Sequence, residues 1–162
     1  MIVGKDGLRK LVEENHLLEN FSMKALGGAG YDLRLDKIYQ LKSESYLGVA
    51  DRKTPEIREI SFEEYTLNPN EYVLVETLEK VNMPENLMAR ILPRSTLFRC
   101  GVTLITAVVD PGFQGTLTMG LKNISNQEFK VERGARIAQI VFEEVAGKTE
   151  KYNGKYQGGK VV

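Results

Sequence analysis

The sequence predicts a mainly β fold, an antiparallel sandwich or barrel with one short N-terminal helix. From Tyr31 onward the apolar residues come in short runs, and several of these alternate with polar residues as half-buried strands do. Gly, Pro and Asn separate the runs, for example in VNMPEN and VDPGFQG, and these residues are typical of turns. The runs that predict strands are YDLRLDKIYQL, EYVLVETLEKVNMP, LMARILP, GVTLITAVVDPG, GTLTMGLKN and FKVERGARIAQIVFEEV.

Three segments lie outside this strand pattern. Residues 6–19 predict an amphipathic helix with Asp6 as its N-cap. Its apolar positions are Leu8, Leu11, Val12 and Leu18. Residues 43–62 are rich in charge and are interrupted by Pro55, so we expect a surface loop there. Residues 147–162 contain several glycines and lysines and two tyrosines, which fits either a frayed terminus or a mobile arm that closes over a ligand.

Length and charge limit the function. A chain of 162 residues is long enough for one domain with a substantial core, which we expect to span residues 1–162. Lys and Arg together number 22, as do Asp and Glu, and this neutral balance argues against broad nucleic-acid binding. The N-terminus is too charged for a signal peptide, and no apolar run approaches the roughly 18 residues of a membrane span. We therefore expect a cytoplasmic protein that does not enter a membrane.

The chain has one cysteine, Cys100, and one histidine, His16. A zinc site normally needs three or four His, Cys or carboxylate ligands at short spacings, so a zinc-dependent nucleobase deaminase is excluded. A Ser-His-Asp triad would have to use His16, which falls in the predicted helix without a supporting residue nearby. We expect Cys100 to be a buried apolar residue rather than a nucleophile.

Two stretches contain groups suited to a phosphorylated ligand. GGAGYDL, residues 27–33, places a glycine-rich turn before Asp32, and glycines allow a backbone to approach a ligand closely. PRSTLFR, residues 93–99, combines two arginines with two hydroxyls, and guanidinium groups match phosphate oxygens. The candidate phosphate ligands of this second stretch are Arg94, Ser95, Thr96 and Arg99. Taken singly, an ordinary turn and a solvated surface loop also explain the two stretches.

Two further stretches place a polar side chain within apolar surroundings. In AVVDPGFQG, residues 107–115, Asp110 follows a run that is too apolar to face solvent. Its carboxylate therefore needs a hydrogen-bonding or charged partner, or has a functional role. In RGARIAQIVF, residues 133–142, Gln139 is polar within an otherwise apolar strand. A fifth stretch is the C-terminal segment, whose lysines suit phosphates and whose tyrosines suit stacking.

Together and in this order, GAGYDL, PRSTL, VVDPGFQG, RIAQI and the glycine-rich tail resemble the five motifs of the dUTPase superfamily, which also contains the dCTP deaminases. The resemblance covers residues 27–159. It implies a distorted jelly-roll β-sandwich that assembles as a homotrimer with three sites at the subunit interfaces. The N-terminal helix and the KYQG tail are similar to the deaminase branch, whereas GAGYDL is similar to the dUTPase branch.

The resemblance also implies roles for individual residues. Asp110 would orient and deprotonate the water that attacks the α-phosphate of dUTP, and Phe113 would pack under the deoxyribose and leave no room for a 2′-hydroxyl. Asp32 would help to hold Mg²⁺, largely through water. The residues implied to bind the nucleotide are Arg94, Ser95, Thr96, Arg99, Phe113, Gly120, Gln139, Tyr152, Lys155 and Gln157. The last three of these belong to the closing arm.

The tenth residue after Asp110 separates the two activities of the superfamily. Metal-free deaminases carry a glutamate there, which shuttles protons as water replaces the amino group of cytosine, and such catalysis contributes on the order of 10²–10⁴-fold. This chain has Gly120, and its neighbours Thr118 and Met119 carry no titratable group. Glycine suits the reading of uracil by main-chain hydrogen bonds. The stretch TAVVDPG is also one residue shorter than is common in deaminases, a spacing similar to that of dUTPases.

The sequence therefore predicts an enzyme that hydrolyses dUTP to dUMP and pyrophosphate. Three alternatives stay open. The chain could deaminate dCTP, alone or together with dUTP hydrolysis. It could be a deoxynucleotide-binding regulatory trimer without turnover. It could also be a broader pyrophosphatase that accepts dTTP, because a 5-methyl group is excluded by the shape of a pocket rather than by a motif.

Overall fold

The computed structural model describes all residues, 1–162, and its strands follow the alternating pattern of the sequence. A turn of 3₁₀ helix covers Met23–Ala25. In chain order the other elements are α1 (Lys5–Asn15), β1 (Leu18–Glu19), β2 (Tyr31–Leu41), β3 (Tyr46–Leu47), β4 (Arg52–Lys53), β5 (Ile57–Ile60), β6 (Glu64–Leu67), β7 (Tyr72–Asn82), β8 (Leu87–Pro93), α2 (Ser95–Arg99), β9 (Val102–Ile105), β10 (Val108–Val109), β11 (Gln114–Asn123), β12 (Phe129–Glu132) and β13 (Arg136–Glu144).

Strand β2 belongs to both layers of the sandwich. Its first residues pair antiparallel with β13, and from Leu35 onward it pairs with β7. Each pairing contains an irregularity of register, and such bulges bend a sheet. The strand order β10–β8–β13–β2–β7–β11–β9 therefore curls into two layers that enclose the apolar core. This arrangement confirms the predicted distorted β-sandwich.

Alternation along β2 decides which of its side chains are available for function. Tyr31, Leu33 and Leu35 are fully buried in the core. Asp32 and Arg34 lie between them and are only half-buried, because successive side chains of a strand point to opposite faces. The acid of the glycine-rich stretch is thus placed outside the core by the pleat of the strand.

A buried acid on β7 fixes β2 where it passes from one layer to the other. Glu79 is fully buried and accepts hydrogen bonds from Tyr31 Oη at 2.9 Å and from Arg34 Nε at 2.7 Å. The backbone N–H of Arg34 donates to the second oxygen of the same carboxylate at 2.9 Å. Burial, together with this negative charge, raises the pKa of Tyr31 to about 12.

The N-terminal helix is shorter than predicted. It begins at Lys5 with Gly4 as the N-cap, whereas Asp6 lies in the first turn, where its charge favours the positive end of the helix dipole. His16 ends the helix in the left-handed conformation, with φ of 53°. Leu18, which continued the helical spacing, is buried instead because β1 pairs with β7.

Several segment boundaries also differ from the prediction. The predicted loop 43–62 contains the small β3–β4 hairpin and β5, and β5 pairs with β2. GVTLITAVVDPG divides into β9 and β10, and the long C-terminal run divides at Gly134 into β12 and β13. Cys100 is exposed rather than buried, because it caps the C-terminus of α2 at the surface. None of the helices is long and apolar enough to span a membrane.

Candidate active site

A cavity of about 510 Å³ brings together four of the predicted site residues. Asp110, Phe113, Gly120 and Tyr152 all line it. Most of the other lining residues are apolar, and the only charged ones are Asp110 and Lys160. A mostly apolar cavity with a few polar groups is typical of a small-molecule site.

A tight turn after β10 places the acid and the aromatic ring. The N–H of Phe113 donates to the carbonyl of Asp110 at 3.2 Å, and Gly112 has φ of 78°, a conformation that favours glycine. Phe113 is 8% exposed, and its ring packs edge-on against Tyr152 with 5.6 Å between the ring centroids.

The surroundings of Asp110 differ from the sequence-based expectation. Its side chain is exposed at the cavity and makes no hydrogen bond or ion pair. The apolar run before it does not bury it, because Val108 is itself 55% exposed. A carboxylate that faces a cavity without a partner is free to accept a hydrogen bond from a water or a ligand.

The C-terminal segment packs across this turn and closes one side of the cavity. The N–H of Tyr152 donates to the carbonyl of Pro111 at 2.8 Å. The amide of Gln157 bridges two backbone groups: its nitrogen donates to Gly112 at 3.0 Å, and its oxygen accepts from Gln114 at 2.9 Å. In this conformation Gln157 therefore holds the arm against the turn, while its predicted contact with a nucleotide stays a prediction.

Lys155 does not line the cavity. Its ammonium group donates to the hydroxyl of Thr54 at 2.9 Å, just after the β3–β4 hairpin. Farther along the arm, two glycines let the chain cross β11, since a Cβ on Gly115 would lie 2.4 Å from the nitrogen of Gly159. The arm predicted for residues 147–162 is thus seated on the same chain, and Lys155 as a phosphate ligand stays a prediction.

Gly120 lies in the middle of the sheet, where a side chain would meet a neighbour. It pairs with Leu74 of β7 on one side and with Ile105 of β9 on the other. A Cβ on Gly120 would lie 2.6 Å from Oη and 2.8 Å from Cε2 of Tyr72. The ring of Tyr72 therefore occupies the space into which a side chain at this position would project.

The phenol of Tyr72 is a residue that the sequence reasoning did not single out. Burial raises its pKa, and its hydroxyl makes no hydrogen bond within the chain. The signal that could have identified it is its register, because Tyr72 precedes Leu74 by two residues and so lies on the same face as Gly120.

A second cluster, where β2 pairs with β13, contains three of the predicted site residues, Asp32, Arg94 and Gln139. The Oδ2 atom of Asp32 lies 3.2 Å from Arg94 Nε and 3.3 Å from Arg136 Nη1. Gln139 stands directly opposite Asp32 in the pairing of β13 with β2. Arg136 was missed by the sequence reasoning, although it precedes Gln139 by three residues at the start of β13.

The glycine-rich turn belongs to this cluster as well. A Cβ on Gly30 would lie 2.8 Å from the carbonyl of Ile140 and 3.1 Å from Cγ of Gln139. Glycine is therefore required at position 30 for the turn to pack against β13. Packing against β13, rather than contact with a ligand, therefore explains why the GGAGYDL stretch has a glycine at position 30.

The PRSTLFR stretch forms the short helix α2, and Arg94 is the residue that precedes it. Ser95, Thr96 and Arg99 are exposed, and Arg99 Nη1 donates to the carbonyl of Ser95 at 3.1 Å. Neither Arg94 nor any residue of α2 lines the cavity. Within one chain, the cavity and the arginine cluster are therefore separate, and the phosphate roles of these residues stay predictions.

Comparison with known proteins identifies the family to which this curled β-sandwich belongs. Residues 2–145 match the family model described as dCTP deaminase-like, and the chain belongs to this family.

Two relatives illustrate the two activities. The chain is 36% identical to the probable deoxyuridine 5′-triphosphate nucleotidohydrolase of Methanothermobacter thermautotrophicus, over 97% of this chain and 99% of the relative. It is 35% identical to a protein of Thermococcus kodakarensis named dCTP deaminase, over 92% of this chain and 90% of the relative. The predicted resemblance is confirmed, while the names of the relatives divide between hydrolysis and deamination.

A solved structure shares the fold. The 2′-deoxycytidine 5′-triphosphate deaminase of Agrobacterium tumefaciens matches with a TM-score of 0.70 and 19% identity. The match covers 87% of this chain and 47% of that one, so the chain spans about half of the solved structure. At this identity the likeness concerns the fold alone.

The contact between Gly120 and Tyr72 predicts a coupled effect on stability. Gly120→Ala should lower the free energy of unfolding by about 1–3 kcal/mol, because the added methyl group overpacks the site against the Tyr72 ring. In a Tyr72→Val background, the same change should cost less than about half as much. Urea denaturation of the two single variants and the double variant measures this coupling.

Gly28→Ala is the matched control, because a Cβ at Gly28 would meet nothing within 4 Å. It should change stability by less than about 0.5 kcal/mol. Equal costs of Gly120→Ala in both backgrounds would show that Tyr72 does not exclude a side chain at this position.

Proposed function

We propose that the chain hydrolyses dUTP to dUMP and pyrophosphate. The observation that carries this proposal is the pair formed by Gly120 and Tyr72 beside the cavity. A deaminase of this superfamily needs a proton-shuttling carboxylate at position 120, and here that position has no side chain, while the Tyr72 ring lies where one would project. Asp110, the acid needed for hydrolysis, is present and faces the cavity without a partner.

The proposed chemistry is an in-line attack of water on the α-phosphate. Asp110 accepts a proton from that water and orients it, which is general base catalysis by a carboxylate held at the cavity wall. The turn formed with Gly112 and Phe113 fixes the acid in place. Pyrophosphate is the leaving group, and positive charge near the β- and γ-phosphates favours its departure.

The positive charge would come from the arginine cluster. Arg94 and Arg136 share the Asp32 carboxylate, which orients both guanidinium groups. Since this cluster does not line the cavity of its own chain, we propose that the site is completed between subunits of a homotrimer. Exposed apolar residues support such an interface, because Ile105 and Val108 are 53% and 55% exposed at the cavity rim.

Magnesium fits this arrangement as an ion held mainly by phosphates and water. No group of three or more His, Cys, Asp or Glu side chains converges to form a metal cage. Mg²⁺ commonly keeps several waters and binds through one or two carboxylates together with substrate phosphates. Asp32 is the residue that would hold the hydrated ion, and the ion would neutralise charge on the phosphates.

Deamination of dCTP is the second candidate, and the specific observation in its favour is the 35% identity to a protein named dCTP deaminase. This reading needs another residue to move protons at the ring, since Gly120 cannot. The neighbouring subunit of a trimer would have to supply that residue.

The proposed role of Asp110 as general base predicts how a substitution of this residue changes the rate of hydrolysis. Asp110→Asn should lower kcat for pyrophosphate release from dUTP by about 10²–10⁴-fold, because the amide cannot accept the proton of the attacking water. The dissociation constant of dUMP should change by less than about threefold, since the amide keeps the shape of the carboxylate. Steady-state kinetics and calorimetry measure the two effects.

Asp51→Asn is the control for this substitution, because it changes an exposed acid of the β3–β4 hairpin outside the cavity. Its kcat should equal that of the wild type. Full activity of Asp110→Asn would show that Asp110 is not the general base. A wild type that releases no pyrophosphate from dUTP would contradict the proposed hydrolysis itself.

The proposed position of Phe113 under the deoxyribose predicts that this residue determines the preference for dUTP over UTP. Phe113→Ala should reduce the preference for dUTP over UTP by about tenfold or more, because a smaller side chain opens space beneath the deoxyribose. The ratio of the two kcat/KM values is the proper readout, since it does not depend on the fraction of folded enzyme. Phe129→Ala on β12 removes a half-buried ring away from the cavity and should leave the ratio unchanged. An unchanged ratio in Phe113→Ala would contradict the role of Phe113.

A further inference from the structure

One buried side-chain oxygen has no hydrogen-bond partner, and it belongs to a residue of the cavity. Thr118 lies on β11 two residues before Gly120 and lines the cavity. Its Oγ1 is buried and makes no hydrogen bond within the chain. A buried hydroxyl without a partner lowers stability, so such groups are rare in folded proteins and demand an explanation.

Thr118 Oγ1 is the only buried side-chain nitrogen or oxygen of the chain that lacks a hydrogen-bond partner, and two nearby threonines show the contrast. Thr77, on the neighbouring strand β7, accepts a hydrogen bond from the N–H of Leu117 at 2.9 Å. Thr106, which lines the same cavity, donates to the carbonyl of Ile91 at 2.7 Å. Among the polar side chains of the cavity wall, Thr118 is therefore the one whose oxygen is both buried and without a partner.

The position of Thr118 indicates which part of a nucleotide it would meet. It is on the same face of β11 as Gly120, because residues two apart on a strand share a face. The cavity there is mostly apolar, which suits a flat ring, whereas the arginines suited to phosphates lie just before α2 and at the start of β13. The pyrimidine ring has polar groups at its edge that a hydroxyl can bind as donor or acceptor.

We propose that the hydroxyl of Thr118 binds the pyrimidine ring of the deoxynucleotide. The proposal rests on the proposed function only in placing a pyrimidine nucleotide in this cavity. In the structure Oγ1 is not open to water, although the residue as a whole is only partly buried. Rotation about χ1 moves the oxygen to another staggered position, and threonine adopts more than one of these readily. Ligand binding would thus supply the missing hydrogen bond.

Removal of the hydroxyl with retention of shape tests this proposal. Thr118→Val should leave the midpoint of urea denaturation unchanged or raised, because it deletes an unsatisfied polar group. Its dissociation constant for dUMP should rise by about threefold to tenfold, the value of one neutral hydrogen bond. Its dissociation constant for inorganic pyrophosphate should stay unchanged. Calorimetry with each ligand measures these constants.

Two variants serve as controls. Thr118→Ser keeps the hydroxyl and should bind dUMP as the wild type does. Thr103→Val changes a threonine of the neighbouring strand β9 that does not line the cavity, and it should leave both dissociation constants unchanged.

Three results would overturn the proposal. Unchanged binding of dUMP by Thr118→Val would show that the hydroxyl does not contact the nucleotide. Equal weakening of dUMP and pyrophosphate, or a lower denaturation midpoint, would show a structural role instead. A wild type that binds neither dUMP nor dCMP would show that this cavity is not a site for a pyrimidine nucleotide. Because binding is measured without turnover, a wild type that binds dUMP but fails to hydrolyse dUTP would contradict the proposed function and leave the test of Thr118 intact.

Discussion

The antiparallel pairing of β7 with β11 is the constraint on which the rest of the site depends. β11 begins directly after Phe113 and pairs with both β7 and β9, so its register decides which residues face the cavity. The register of β11 shifts between Thr116 and Thr118, and there the N–H of Leu117 donates a hydrogen bond to the hydroxyl of Thr77 on β7. The same register sets the Tyr72 ring against Gly120, in the space into which a side chain at position 120 would project.

The cavity with Asp110 and the arginine cluster around Asp32 lie apart because the sheet curls into two layers. β2 pairs with β13 in one layer and with β7 in the other, so its outer residues and the β11 cavity lie in different parts of one subunit. The cavity is mostly apolar and contains one acid, while the cationic groups collect around Asp32. A triphosphate needs both, and an assembly of several copies is the arrangement that we propose to supply them together.

The sequence predicts the fold well because its strongest signals are local. Alternation within YDLRLDKIYQL and turn residues such as those of VDPGFQG mark strands and turns without knowledge of their partners. The exposure of Asp110, the start of β1 at Leu18 and the contact between Tyr72 and Gly120 depend on pairing between distant segments. A sequence pattern does not carry that register, so the missing glutamate was predictable whereas the ring that fills its place was not.

The measurement that tests the account most directly is a parallel assay of the wild type with Mg²⁺ and either dUTP or dCTP. Pyrophosphate and ammonia are quantified in both reactions. We expect pyrophosphate from dUTP and no ammonia from dCTP, because Gly120 has no side chain that could shuttle protons at the ring. Ammonia released from dCTP would contradict it and would show that another residue replaces the glutamate.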